Sequence, residues 1–139
     1  MSFKLISQDL GIKMIVSGKT LQELFRAALK SIAFCLKPEV LKLKKKDFRE
    51  RQKMKIEAVD INSLLVEFLS KILAQAEITG TVFVDISFKI FGENFLEGEI
   101  AGVKVDDFEQ EIKDVSYEGV DIKRSPTNGL YETVLIFEI

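Results

Sequence analysis

Apolar residues first recur at every second position: Phe3 and Leu5, then Leu10, Ile12, Met14 and Val16. Such alternation predicts one or two short strands with one buried face, and it sets Asp9 near their junction. From Leu21 the spacing lengthens. Leu21, Leu24, Phe25, Ala28, Leu29, Ile32 and Leu36 trace a single helical face. Thr20 and Glu23 stand at the T-x-x-E spacing of a capping box, which marks the helix start. Pro38 ends the helix, because proline disfavours helical geometry at the residue before it.

Met54, Ile56 and Ala58 then alternate with Lys53, Lys55 and Glu57, the pattern of a half-buried strand with a charged outer face. Asp60 is the expected N-cap of a second helix. Its apolar face runs through Ile61, Leu64, Leu65, Phe68, Leu69, Ile72, Leu73 and Ala76. Beyond Thr81 the period returns to two, through Val82, Val84, Ile86, Phe88 and Ile90. Gly92-Glu93-Asn94 turns the chain back, and residues 95–105 form the returning strand, loosened by Gly98 and Gly102. Val120 and Ile122 predict the start of another strand, and SPTNG (125–129) a turn. VLIF (134–137) is apolar on both faces, as a central strand would be. Two amphipathic helices among six to eight strands predict an α+β fold. We expect a single domain over residues 1–139, with both helices packed on a mixed, largely antiparallel sheet.

Composition narrows the chemistry. With 139 residues the chain has room for one core. Histidine is absent, which removes Ser-His and Cys-His catalysis and imidazole metal sites. The single Cys35 leaves no internal disulfide and no multi-thiolate metal centre; in AFCL it reads as a small buried hydrophobe. Any metal would therefore be a hard cation held by oxygen. No residue pair has an evident nucleophile-and-base arrangement, which argues against a hydrolytic enzyme. No apolar run reaches the roughly 18–20 residues of a membrane span, and MSFKLISQDL lacks signal-peptide features. A cytoplasmic protein is the expectation.

Charge is unevenly spread. Residues 42–55 carry eight Lys or Arg against Asp47 and Glu50, whereas residues 93–121 carry ten acids against Lys104 and Lys113. The basic run (Lys42, Lys44, Lys45, Lys46, Arg49, Arg51, Lys53 and Lys55) suits a solvated face, or electrostatic steering toward an acidic or RNA-bearing partner. Phe48 is its one aromatic residue, which argues against recognition of single strands by base stacking.

SGKT (17–20) has the tail of a phosphate-binding loop but not its head. GxxxxGK[ST] would need glycine where Lys13 stands. The capping box accounts for Thr20 without a ligand.

Several segments nevertheless share an order and spacing with a known family. DLGIKMIVSGKTLQELFRAAL, LLVEFLSKIL (64–73), EIKDVSYEGVDI (111–122) and the final VLIFEI resemble the archease family over nearly the whole chain. The resemblance implies a small α+β domain that is not itself an enzyme. It would serve as a protein cofactor of the RNA-splicing (tRNA) ligase, promoting its guanylylation and multiple turnover, with RNA contacted indirectly. It also implies a divalent cation, Ca²⁺, Mg²⁺ or Mn²⁺, held by Asp9, Glu138 and the carboxylate or backbone oxygen of Ile139. Lys113 matches a lysine implied to act at the ligase's guanylylation site. Ile6 and Glu118 replace the two histidines of the family's HTADIGI-like and EIKAVTYH-like segments. Glu67 and Glu138 each stand where an aspartate is usual.

If the chain ends meet, their negative charges need a counterion. Two unit charges about 5 Å apart at an effective dielectric of about 20 repel by ~3 kcal/mol. A cation, a proton or a displaced chain end would relieve this. Plainer readings of the same residues stay open. Asp9 suits a turn or cap carboxylate, and Glu138 a solvated chain end. Lys113, with Glu111 and Asp114 beside it, suits a surface ion pair worth under about 1 kcal/mol. Two other functions also fit: a metal-free interaction module of the same fold, or a small RNA-binding protein using residues 42–55.

Overall fold

The computed structural model describes residues 2–139. The chain opens as a hairpin of β1 (Ser2–Ser7) and β2 (Ile12–Gly18), with Phe3 opposite Val16 and Leu5 opposite Met14. The register slips between Leu5 and Ser7, which leaves Ile6 as the extra residue of a bulge. β2 runs almost directly into α1 (Leu21–Leu36). Thr20 Oγ1 accepts a hydrogen bond from the Glu23 N–H at 3.1 Å, and the Glu23 carboxylate accepts from the Lys19 N–H at 2.7 Å. The glutamate thus reaches one residue past the expected capping-box partner. A Cβ on Gly18 would lie 2.5 Å from the Leu24 nitrogen, so the first helical turn already fills the space a phosphate would need. SGKT opens a helix.

α1 gives way at Pro38 to two short 3₁₀ turns, Pro38–Lys42 and Lys45–Asp47, and then to β3 (Glu50–Glu57). Asp60 caps α2 (Ile61–Thr79), accepting from the Ser63 N–H at 2.7 Å. Gly80 ends α2 in the left-handed conformation, φ 66°, which glycine adopts without a Cβ penalty. The remaining strands are β4 (Thr81–Phe91), β5 (Phe95–Lys104), β6 (Asp114–Val115), β7 (Lys123–Arg124) and β8 (Tyr131–Glu138).

The α+β class stands, with two helices on antiparallel sheets. In detail the strands divide between two sheets, and every described pairing is antiparallel. One sheet has the order β1-β2-β8-β6 with β7 also paired to β8, and the other is β3-β5-β4. Alternation in sequence tells which face of a strand is buried, not which sheet it joins. β8 pairs on both edges, as its two-sided apolar sequence requires.

The strand expected from Val120 and Ile122 forms only at Lys123–Arg124. The reason is visible in the hydrogen bonds. The Asp121 N–H donates to Thr133 Oγ1 at 2.9 Å and the Ile122 N–H to Asn62 Oδ1 at 2.8 Å, so side chains satisfy backbone groups that a ladder would have used.

Both helices touch both sheets: α1 lies against β1, β2 and β4, and α2 against β3, β4 and β6. Phe25 of α1 joins the layers, 5.5 Å from Phe68 of α2 and 5.0 Å from Phe91 of β4 between ring centres. Full burial of a side chain of this size stabilises the fold by ~1.5–3 kcal/mol. Cys35 sits in this core, and burial pushes its thiol pKa up to about 12. It is packing rather than a nucleophile.

Candidate functional site

The start of β2 and the end of β8 are neighbours. Ile12 lies opposite Phe137, and Lys13 opposite Ile136. Just before Ile12 the chain bends through Asp9, Leu10 and Gly11. Gly11 presses against β8: a Cβ there would stand 3.0 Å from the Phe137 carbonyl oxygen. On the other edge of β8, Asp114 pairs with Glu138, and the Lys113 N–H donates to the Glu138 carbonyl at 2.7 Å. Ser116 continues the contact, donating to the Ile136 carbonyl at 2.9 Å. The backbones of Lys113 and Glu138 are thus joined, and the bend that carries Asp9 touches β8 at Gly11, at the same end of the five-stranded sheet.

Side-chain direction follows from the pleat. Leu135 and Phe137 point inward and are fully buried, which anchors the strand. Glu138 takes the opposite direction and is exposed, as are Asp9, Lys113, Asp114 and Ile139. Lys113 makes no ion pair with Glu111 or Asp114 among the described residues, contrary to the plainer reading of its neighbourhood. Asp114 instead accepts from the Val115 N–H at 2.8 Å. The Lys113 ammonium is left available.

For a cation the donor chemistry fits: Asp9, Glu138 and Ile139 offer oxygen alone, as a hard dication prefers. Among the described residues there is no ready cluster of three or more Asp, Glu, His or Cys side chains. Oxygens from Ile139 would have to complete the ligand set beside the two carboxylates.

A second feature of this end was not visible in the sequence. The segment after β6 folds over α2, where the Tyr117 hydroxyl donates to the Glu67 carboxylate and Asn62 holds Ile122. That hydrogen bond, then burial and the nearby charges of Glu67, Asp114 and Asp60, raise the Tyr117 pKa to about 12. Glu67 and Glu118, two of the positions that differ from the resembled motifs, thus lie on α2 and on the segment folded over it. Ile6, the third, is exposed at the β1 bulge. No local signal links Glu67 to Tyr117; 50 residues separate them.

The basic run occupies a different part of the surface. Lys42, Lys44, Lys45 and Lys46 lie on or beside the 3₁₀ turns, Arg49 precedes β3, and Arg51 points outward from it; all are exposed. Several are matched by acids: Arg51 to Glu99 at 3.3 Å, Lys55 to Glu97 at 3.6 Å and Lys45 to Asp85 at 3.9 Å. Phe48 is buried in the core, which removes the only aromatic ring of the run from any stacking role.

The sequence profile of the Archease protein family (MTH1598/TM1083) matches residues 3–139. The chain belongs to the archease family. It is 31% identical to the protein archease of Pyrococcus furiosus over 94% of its own length and 92% of that relative's. It is 27% identical to the protein archease of Thermococcus kodakarensis over 85% of this chain and 84% of that one. Two solved structures share the fold. Protein 1598 of Methanobacterium thermoautotrophicum aligns over 99% of this chain and 98% of its own, with TM-score 0.77 and 17% identity. A Thermotoga maritima protein described as an archease and possible chaperone covers 98% of this chain and 96% of its own, with TM-score 0.64 and 15% identity. At those identities the likeness extends to the archease fold alone.

Proposed function

We propose that this archease-family chain is a protein cofactor, without turnover of its own, that activates an RNA-splicing (tRNA) ligase. It promotes guanylylation of the ligase and its return to further cycles. The observation that supports the reading is the backbone bond between Lys113 and Glu138, at the sheet end where the bend after β1, which carries Asp9, touches β8 through Gly11. The family resemblance singles out Asp9, Lys113, Glu138 and Ile139. The chaperone-like description of the Thermotoga maritima relative agrees with action on a protein partner.

In this reading Asp9, Glu138 and an oxygen of Ile139 hold a divalent cation, Ca²⁺, Mg²⁺ or Mn²⁺. Such a cation would supply positive charge to offset that of the carboxylates. Lys113, exposed and without an acid partner, presents its ammonium to the ligase's nucleotide site, where it favours negative charge developing on phosphate. At this end of the sheet RNA is contacted through the ligase. Action in the cytoplasm fits the absence, among the described residues, of a helix long and apolar enough to cross a membrane.

The test measures ligase guanylylation with a guanine nucleotide and Mn²⁺, with and without equimolar archease. The proposal expects a faster rate with archease present and no nucleotide consumption by archease alone. An unchanged ligase rate would leave the fold standing as a metal-free interaction module.

A further inference from the structure

A concavity lies away from the proposed site, on the three-stranded sheet and α2. Its volume is about 650 Å³, within the range of small-molecule sites. Four lysines from three elements line it: Lys53 and Lys55 of β3, Lys71 of α2 and Lys89 of β4. Lys53 and Lys55 come from the basic run; Lys71 and Lys89 are supplied by the fold from elsewhere in the sequence. Glu97 and Glu99 also line the wall, but both are engaged. Glu97 faces Lys55 at 3.6 Å, and Glu99 faces Arg51 at 3.3 Å. Lys53, Lys71 and Lys89 have no carboxylate within ion-pair distance among the described residues. These lysines line a hollow that the half-buried Phe88 also borders, while Met54 of the same wall turns its side chain into the core.

We propose that this concavity binds a phosphate-bearing nucleotide, either free or as part of a single strand of RNA. Unpaired lysines that converge on one hollow offer point charges to phosphate oxygens. The half-buried Phe88 beside them offers an apolar edge to the sugar or base, as in ligand sites that combine apolar lining with a few polar groups. The backbone supports this shape. β4 bulges between Phe88 and Ile90, and Gly98 passes so close that a Cβ there would lie 2.5 Å from the Ser87 carbonyl oxygen. The bulge aims Lys89 away from the regular pleat. This inference does not rest on the ligase reading and can fail without it.

Two probes separate the sources of phosphate: GMP, followed by NMR chemical-shift perturbation, and a short labelled oligouridylate, followed by fluorescence anisotropy. Binding of GMP in the hollow identifies a free nucleotide, and binding of the oligonucleotide alone identifies a strand. For the oligonucleotide, log affinity falls with log salt by ~0.7 per phosphate contacted. The double variant Lys71→Gln/Lys89→Gln weakens binding several-fold and, at ~0.7 per contact, flattens that slope by ~1.4. The double variant Lys4→Gln/Lys30→Gln, which removes the same charge outside the hollow, leaves affinity within about twofold, the change expected from long-range field alone. All four are exposed or half-exposed positions, so folding is not at stake. Three results overturn the proposal: neither probe binds, both double variants weaken binding equally, or poly-glutamate binds as tightly as the oligonucleotide.

Discussion

The two sheets handle charge in opposite ways. On the outer face of the three-stranded sheet residues of the basic run pair across strands, Arg51 with Glu99 and Lys55 with Glu97. At the end of the five-stranded sheet backbone bonding joins the exposed Lys113 to Glu138, and the bend holding the exposed Asp9 leads into β2 beside β8. The first arrangement keeps an edge strand soluble and unattractive to other strands. The second leaves unmatched groups in a fixed place, which a structural role does not require. The difference teaches that density of charge in sequence is a poor guide to function here. The conspicuous run is partly neutralised at home, while the proposed site draws on single residues that look ordinary in isolation.

The comparison can be broken hardest at Phe137. This side chain is fully buried and anchors the end of β8 between Ile12 and Val115. Phe137→Ala should cost ~3–5 kcal/mol in urea-induced unfolding, and it should loosen the site before the rest of the fold. Hydrogen exchange would show the Lys113 amide losing protection first.

A smaller effect is expected at Tyr117. Its hydroxyl donates to Glu67 from an exposed position, so Tyr117→Phe should destabilise by no more than about 1 kcal/mol at neutral pH. The pH dependence has a definite sign. Hydrogen bonding to Glu67 raises the pKa from 10.0 to about 12. The stabilisation is therefore fully present below the unfolded value near pH 10, and is lost as pH rises from there through about 12. Ultraviolet difference titration should show one tyrosine ionising near pH 12, and Tyr117→Phe should remove that component.

The smallest effect belongs to the matched charges. Arg51→Ala should change stability by only ~0.2–1 kcal/mol, because the pair with Glu99 is solvent-exposed and screened by salt. A larger loss in thermal unfolding would mean that the charged face carries more structural weight than its exposure suggests.

Much of the fold was legible because its signals are local. Thr20 and Asp60 mark helix starts, Pro38 marks a stop, and VLIF marks a strand paired on both edges; each acts through atoms a few residues away. The allocation of strands to two sheets was not legible, since alternation carries no partner identity. Residues 120–122 were misread as strand because their hydrogen bonds end on Asn62 and Thr133, supplied from elsewhere in the chain. The site was only partly legible. The family resemblance points to Asp9, Lys113, Glu138 and Ile139, whereas the placing of their segments at one sheet end depends on the pairing of β8 with β2 and β6. The Tyr117–Glu67 contact and the lysine-lined hollow had no local signature at all.

The most direct test sets the two sheets against each other in one assay. Guanylylation of the ligase would be measured with wild-type archease, with Asp9→Asn, with Lys113→Gln, and with Glu57→Gln on the charged face of β3. Asp9→Asn and Glu57→Gln each remove one negative charge, so bulk charge is controlled. The account predicts that acceleration is lost with Asp9→Asn and Lys113→Gln and retained with Glu57→Gln. Full acceleration by both sheet-end variants would contradict it.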